Sequence, residues 1–141
     1  MGDRANVVIQ TGNTLDDSVW IYTHWHGHDL PGMVATALAS GAARGRWGDP
    51  PYLCRILIDR IIPDHEGSTG WGISHGMGDN SYNILVVNIP SQKVFLVDWD
   101  RSAWDIKRDS EPLIEWTFEE FASLDSEDLD MTKLSEIVSQ K

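Results

Sequence analysis

This chain has a single cysteine, Cys54, which excludes an internal disulfide framework. A reducing, cytoplasmic home is therefore the expectation. Bases are scarce: 11 lysines and arginines stand against 22 aspartates and glutamates, a net charge of −11. That balance excludes a nucleic acid polymer as partner, because a polyphosphate backbone selects a basic stripe. It favours steering toward a cation or a basic protein. No apolar run approaches the roughly 20 residues of a membrane span, so no membrane partner is expected. The start, Met1-Gly2-Asp3-Arg4, lacks a signal-peptide pattern, and Asn6 breaks the spacing for myristoylation.

What is present suits one globular domain over residues 1–141, with an acidic C-terminal segment over 100–141 that ends in an amphipathic helix. Apolar residues make up 41% and charged residues 23%, ordinary values for a chain that buries a core. Ala5 to Gln10 and Ser18 to Trp25 predict a strand pair. Leu30, Met33, Val34, Ala37 and Leu38 recur at helical spacing, with Asp29 placed to cap and Pro31 in the first turn. That helix is expected to reach Gly45. Asp49-Pro50 starts a second helix, which Pro63 stops.

Glu66 to Asn80 is glycine-rich, with room for one short strand near Trp71 to Ser74. Tyr82 to Ile89 and Lys93 to Trp99 predict a hairpin closed by Pro90-Ser91-Gln92. A last amphipathic helix spans Ser126 to Ser139. The expected fold class is α+β, an antiparallel sheet with helices packed on one face, in the order ββααβββα.

The densest chemistry is Thr23-His24-Trp25-His26-Gly27-His28-Asp29, which holds three of the five histidines. Alternation in an extended chain puts the three imidazoles on one face. Imidazole is the commonest metal ligand, so His24, His26 and His28 are candidate metal ligands. Zinc wants about four tetrahedral donors, and i, i+2, i+4 on a strand span about 13 Å. A shared ion would need a break at Gly27 and help from Asp29 or His75. No cofactor is implied by any motif.

His24-x-His26-x-His28-Asp29 resembles the His-x-His-x-Asp-His loop of the metallo-β-lactamase fold. The last pair is in swapped order. The long βα run that precedes the loop in that family is missing, and only His65 and His75 follow downstream. The chain is also short for that two-layered fold, so the resemblance is set aside.

Catalytic patterns are weak elsewhere. Gly67-Ser68-Thr69-Gly70-Trp71-Gly72 is neither a Walker loop nor a dinucleotide fingerprint. Ser74-His75 has no nucleophile elbow around it. Seven tryptophans are an unusual load. Trp25, Trp47 and Trp71 fall at strand ends and glycine loops, close in sequence to His24, Arg46 and His75. Arg44, Arg46, Arg55 and Arg60 offer a basic pocket to a small anion. Rings beside arginines suit a planar base and its phosphate. His24, Trp25, Arg46, Trp47, Trp71 and His75 are therefore expected to converge on one ligand cleft, completed if need be across a homo-oligomer interface.

The spacing Tyr22-Thr23-His24-Trp25-x-Gly27, then Arg46-Trp47-x-Asp49-x-x-Tyr52-Leu53-x-Arg55-Ile56, then Thr69-Gly70-Trp71-Gly72-Ile73-Ser74, resembles small uncharacterised proteins of actinobacteria and their phages. The resemblance implies a context and no chemistry. With the residues above, it suggests a non-enzymatic binder of a small anionic or nucleotide-like ligand, such as an anti-defence sponge for a nucleotide-derived signal. One alternative is an acidic inhibitor or immunity protein that docks on a basic partner. Another is a metal-dependent hydrolase using the histidine run.

Overall fold

The structure, a computed structural model, describes residues 2–63 and 69–140. What was read from the sequence at His65, Glu66, Gly67 and Ser68 lies outside the described residues.

Ala5–Gln10 forms β1 and Ser18–Thr23 forms β2, paired antiparallel with Ala5 opposite Thr23 and Gln10 opposite Ser18. Leu30–Ala39 is α1. It stops short of Gly45 because Ser40 is extended, at φ −59° and ψ 148°. The Ser40 hydroxyl then accepts from Ala43 N at 3.3 Å and caps a separate turn, α2, over Gly41–Arg44. Pro50–Ile61 is α3, which buries Leu53, Cys54, Leu57 and Ile61 along one stripe. Neither Asp29 nor Asp49 caps its helix with the side chain; the Asp49 carboxylate accepts from Arg46 Nη1 at 3.3 Å instead.

The remaining strands are β3 (Trp71–Ser74), β4 (Ile84–Asn88), β5 (Lys93–Val97), β6 (Trp99–Asp100), β7 (Asp105–Ile106) and β8 (Ile114–Thr117). Then come α4 (Phe118–Ala122), a 3-10 turn over Ser126–Asp128, and α5 (Met131–Ser139). Thr117 opens α4 with a reciprocal cap: its hydroxyl accepts from Glu120 N, and the Glu120 carboxylate accepts from Thr117 N.

Helices and strands are mixed, and the strand pairing is mostly antiparallel. The main sheet runs β3-β2-β1-β4-β5-β8, with β6 and β7 as a separate hairpin. Two expectations are corrected. The sheet is not wholly antiparallel, because β1 and β4 pair in parallel, Val7 beside Leu85 and Gln10 beside Asn88. The order ββααβββα also omits α2, the β6–β7 hairpin, β8 and α4. Periodicity reports which way side chains alternate and is blind to strand direction.

Every residue of β1 is buried, because both faces of the sheet are covered. Val7, Ile9, Ile21, Leu85 and Leu96 pack with Leu30, Val34, Leu38, Leu53, Leu57, Phe118, Phe121 and Leu134 from the helices. Val8, Trp20, Ile84 and Val86 pack with Trp99 and Ile106 of the small hairpin. Each large aliphatic side chain so buried stabilises by about 1.5–3 kcal/mol before entropy is counted. Among the described residues, no helix is long and apolar enough to cross a membrane.

Candidate functional site

The three clustered histidines point in three directions. His24 is bound at both backbone polar groups: its N–H donates to Gly70 O at 2.9 Å, and its carbonyl accepts from Asp3 N at 2.7 Å. Its Nδ1 lies 2.8 Å from the Tyr22 hydroxyl, and its ring meets Trp25 edge-on at 5.2 Å. The His26 ring stacks on Trp71, with centroids 5.6 Å apart and planes within 19°. The His28 ring lies between Asp3, at 3.7 Å, and Asp29, at 3.5 Å. The expected common face is corrected, because β2 ends at Thr23 and extended alternation ends with it. The chain then turns at Gly27, where a Cβ would sit 2.5 Å from Asp3 O. Among the described residues, no group of three His, Cys, Asp or Glu is placed to hold a metal ion.

The expected six-residue cleft divides. His24, Trp25 and Trp71 gather at the sheet end where Thr23 pairs with both Ala5 and Trp71. Trp25 is 51% exposed there, while the Trp71 indole N–H is buried without an acceptor. Arg46 and Trp47 sit at the other end. Trp47 Nε1 donates to Leu38 O near the close of α1, at 3.0 Å, and its ring meets Phe118 edge-on at 5.5 Å. Phe118 N in turn donates to Gln92 O at 2.9 Å, in the β4–β5 turn beside Asn88, the residue that pairs with Gln10. The length of β1, about 17 Å, thus separates the two groups.

Trp47 is half-buried against the helix-covered core, and Arg44 lies over its ring at 5.0 Å. Arg46 pairs with Asp49 and lies over Tyr52 at 4.6 Å. His75 follows Ser74, which pairs with Trp20, so β3 carries it away from Trp71. Convergence of all six is corrected: α1 spans the sheet and delivers its two ends to opposite edges of the core.

A different group stands out by charge. Arg4 pairs with Asp79, Arg44 with Glu119, Arg55 with Asp59, Lys93 with Glu115 and Lys133 with Asp128. Arg101 lies over the Trp99 ring at 4.6 Å. Arg60, in the last turn of α3, has no ion pair, hydrogen bond or ring partner among the described residues. It walls a groove of about 510 Å³ with Ala35, Thr36 and Ala39 of α1, and with Ala122, Leu124 and Ser126 beyond α4. Among the described residues, no carboxylate, histidine or cysteine lines that groove. A neighbouring hollow of about 480 Å³ shares Thr36, Arg60 and Ser126, continues along α1 to Gly32 and Asp29, and is also lined by the Glu127 carboxylate. Gly32 lets the 3-10 turn close on α1, since a Cβ there would meet Ser126 O at 2.7 Å.

Chemically, a guanidinium offers five N–H donors in a fork that matches a carboxylate or phosphate. Thr36 and Ser126 add hydroxyls. Among the described residues, the lining offers a guanidinium and hydroxyls and no nucleophile–base pair. In the sequence, Arg60 stands out only as one of four arginines, Thr36 carries no local signal, and Ser126 is expected to open the last helix, which begins instead at Met131 after a 3-10 turn. Comparison of this chain with models of protein families, with curated proteins and with solved structures gives no match.

Proposed function

We propose that this protein binds a small anionic ligand, unchanged, in the groove walled by Arg60. One observation carries this: with 22 acids against 11 bases, Arg60 has no partner among the described residues. An arginine that pairs with no carboxylate among the described residues, beside a groove that none of the described carboxylates lines, matches an anion from outside. The groove is within the usual ligand-site range of about 300–1,000 Å³. Among the described residues, its lining besides Arg60 is alanines, Leu124 and small hydroxyls with no ring, so the charged group is recognised and a base finds no stacking platform. The resemblance to small proteins of actinobacteria and their phages gives a context in which a sponge for a nucleotide-derived signal is one case, held here by its phosphate and not by its base.

The test is thermal stability with inorganic phosphate, citrate and a panel of nucleoside phosphates. A ligand at about 100 times its Kd stabilises by about 2.7 kcal/mol. The expected result is stabilisation by at least one of these anions, lost in Arg60→Met, with the ligand recovered intact after denaturation. No stabilisation by any of them, or equal stabilisation in Arg60→Met, sinks the proposal.

An acidic inhibitor that docks on a basic protein is the second reading, and one observation favours it. Trp104 is 45% exposed at the tip of the β6–β7 hairpin and holds φ at 54°. That left-handed conformation is strained for a bulky residue, and such strain clusters at functional sites. Capture of a basic host protein that weakens with salt and with Trp104→Ala supports docking; capture indifferent to salt argues against it.

A further inference from the structure

We infer that the sheet face carrying Val86 holds a second, smaller site, for a short aliphatic carboxylate. A hollow of about 110 Å³ opens there, and its apolar lining is Val86, Phe95, Val97, Ile106, Leu15 and Pro112. Its polar lining is Gln10, Asn88, Lys107, Arg108 and Ser110. This combination of apolar floor and few convergent polar groups is what small-molecule sites share.

The cations keep donors in reserve. Lys107 Nζ gives one bond, to Asp98 at 2.8 Å. Arg108 gives Nε to Asp105 at 3.1 Å and Nη1 to Asp16 at 3.0 Å. A lysine ammonium has three N–H donors and a guanidinium five, so both remain able to bind a further oxygen. The carboxylates that hold them do not line the hollow. Those part-exposed ion pairs favour the observed placement of the two side chains by a modest amount, which lowers the ordering cost of binding correspondingly.

Size sets the tail. An apolar cavity of about 150 Å³ accepts benzene, so this one suits a chain of about three or four carbons. A free phosphate or sulfate would leave the apolar floor unused. A neutral isostere would forgo the charge-assisted bonds, which are roughly twice as strong as neutral ones. The hollow shares no residue with the Arg60 groove and does not depend on it.

Titration of the isotope-labelled protein with sodium butyrate, followed by backbone amide shifts, tests this. Butyrate is expected to give saturable shifts centred on Val86, Phe95, Val97, Lys107 and Arg108, with butyramide and acetate each binding at least about tenfold more weakly. Val97→Phe, which fills the hollow at a half-exposed strand position, should abolish the response while distant amides stay in place. Arg108→Met should weaken it, and Arg60→Met should leave it unchanged. Non-saturable shifts, equal shifts with butyramide, or a response that survives Val97→Phe would overturn the inference.

Discussion

Tyr82 donates its phenolic hydrogen to the carboxylate of Asp3, across 79 residues of sequence. The other Asp3 oxygen accepts from His28 N at 3.0 Å, and the Asp3 carbonyl accepts from Gly27 N at 2.8 Å. One N-terminal residue therefore ties the histidine loop to the segment that leads into β4.

That relationship predicts a pH dependence. The bond to Asp3, then burial, then the Asp3 charge push the Tyr82 hydroxyl from its ordinary value of 10 up to about 12. A group whose value is raised on folding stabilises fully below its unfolded value. That stability is lost as the pH climbs from 10 through about 12. The urea midpoint of the wild type should fall more steeply over this window than that of Tyr82→Phe. Parallel declines would show that the pair contributes nothing to stability.

Gly27 and Gly41 should respond to alanine in opposite ways. A Cβ at Gly27 would lie 2.5 Å from Asp3 O and 2.9 Å from the Tyr82 ring, and the backbone oxygen cannot swing aside. Gly27→Ala is expected to cost about 1–3 kcal/mol, as overpacking does. A Cβ at Gly41, at the start of α2, meets nothing within 4 Å. Gly41→Ala should be neutral or stabilise by up to about 1 kcal/mol by restricting the unfolded chain. Denaturant unfolding of both variants decides it; equal effects would contradict the described path of the loop.

Two tryptophans that look alike in the sequence should differ sharply. Trp47 packs against Phe118 and bonds Leu38 O, so Trp47→Ala should cost about 3–5 kcal/mol. Trp25 is 51% exposed, and Trp25→Ala should stay within about 0.5 kcal/mol. A mild Trp47→Ala would return that ring to the list of ligand-facing candidates.

Cys54 lies on the inner stripe of α3, and burial pushes its thiol above the ordinary value. Only the thiolate reacts, so labelling by a disulfide reagent at neutral pH should be slow in the native protein and fast in denaturant. Rapid native labelling would place the thiol outside the core.

Local chemistry made some elements legible. Asp49-Pro50-Pro51 and Pro63 bracket α3 because proline tolerates a first turn and blocks continuation. The β4–β5 hairpin falls around Pro90-Ser91-Gln92, where Gln92 takes φ 52°. Other features stayed hidden. Ile114–Thr117 alternates apolar and polar over only four residues, too short a run to announce a strand, and it is held by pairing with β5. The break between α1 and α2 depends on which backbone N–H the Ser40 hydroxyl meets.

By itself, the sequence determined the acidic balance, the lone thiol and the helices and strands whose ends carry proline, glycine or capping residues. Those are local properties, set within a turn or two of chain. Only the tertiary structure decided that β4 joins β1 in parallel and that α1 parts Trp47 from Trp25 by the length of the sheet. It alone decided that Arg60 finds no ion pair among the described residues. Which charge finds a partner depends on contacts between residues far apart in the chain, such as Arg44 with Glu119 or Arg108 with Asp16, and no spacing rule encodes them.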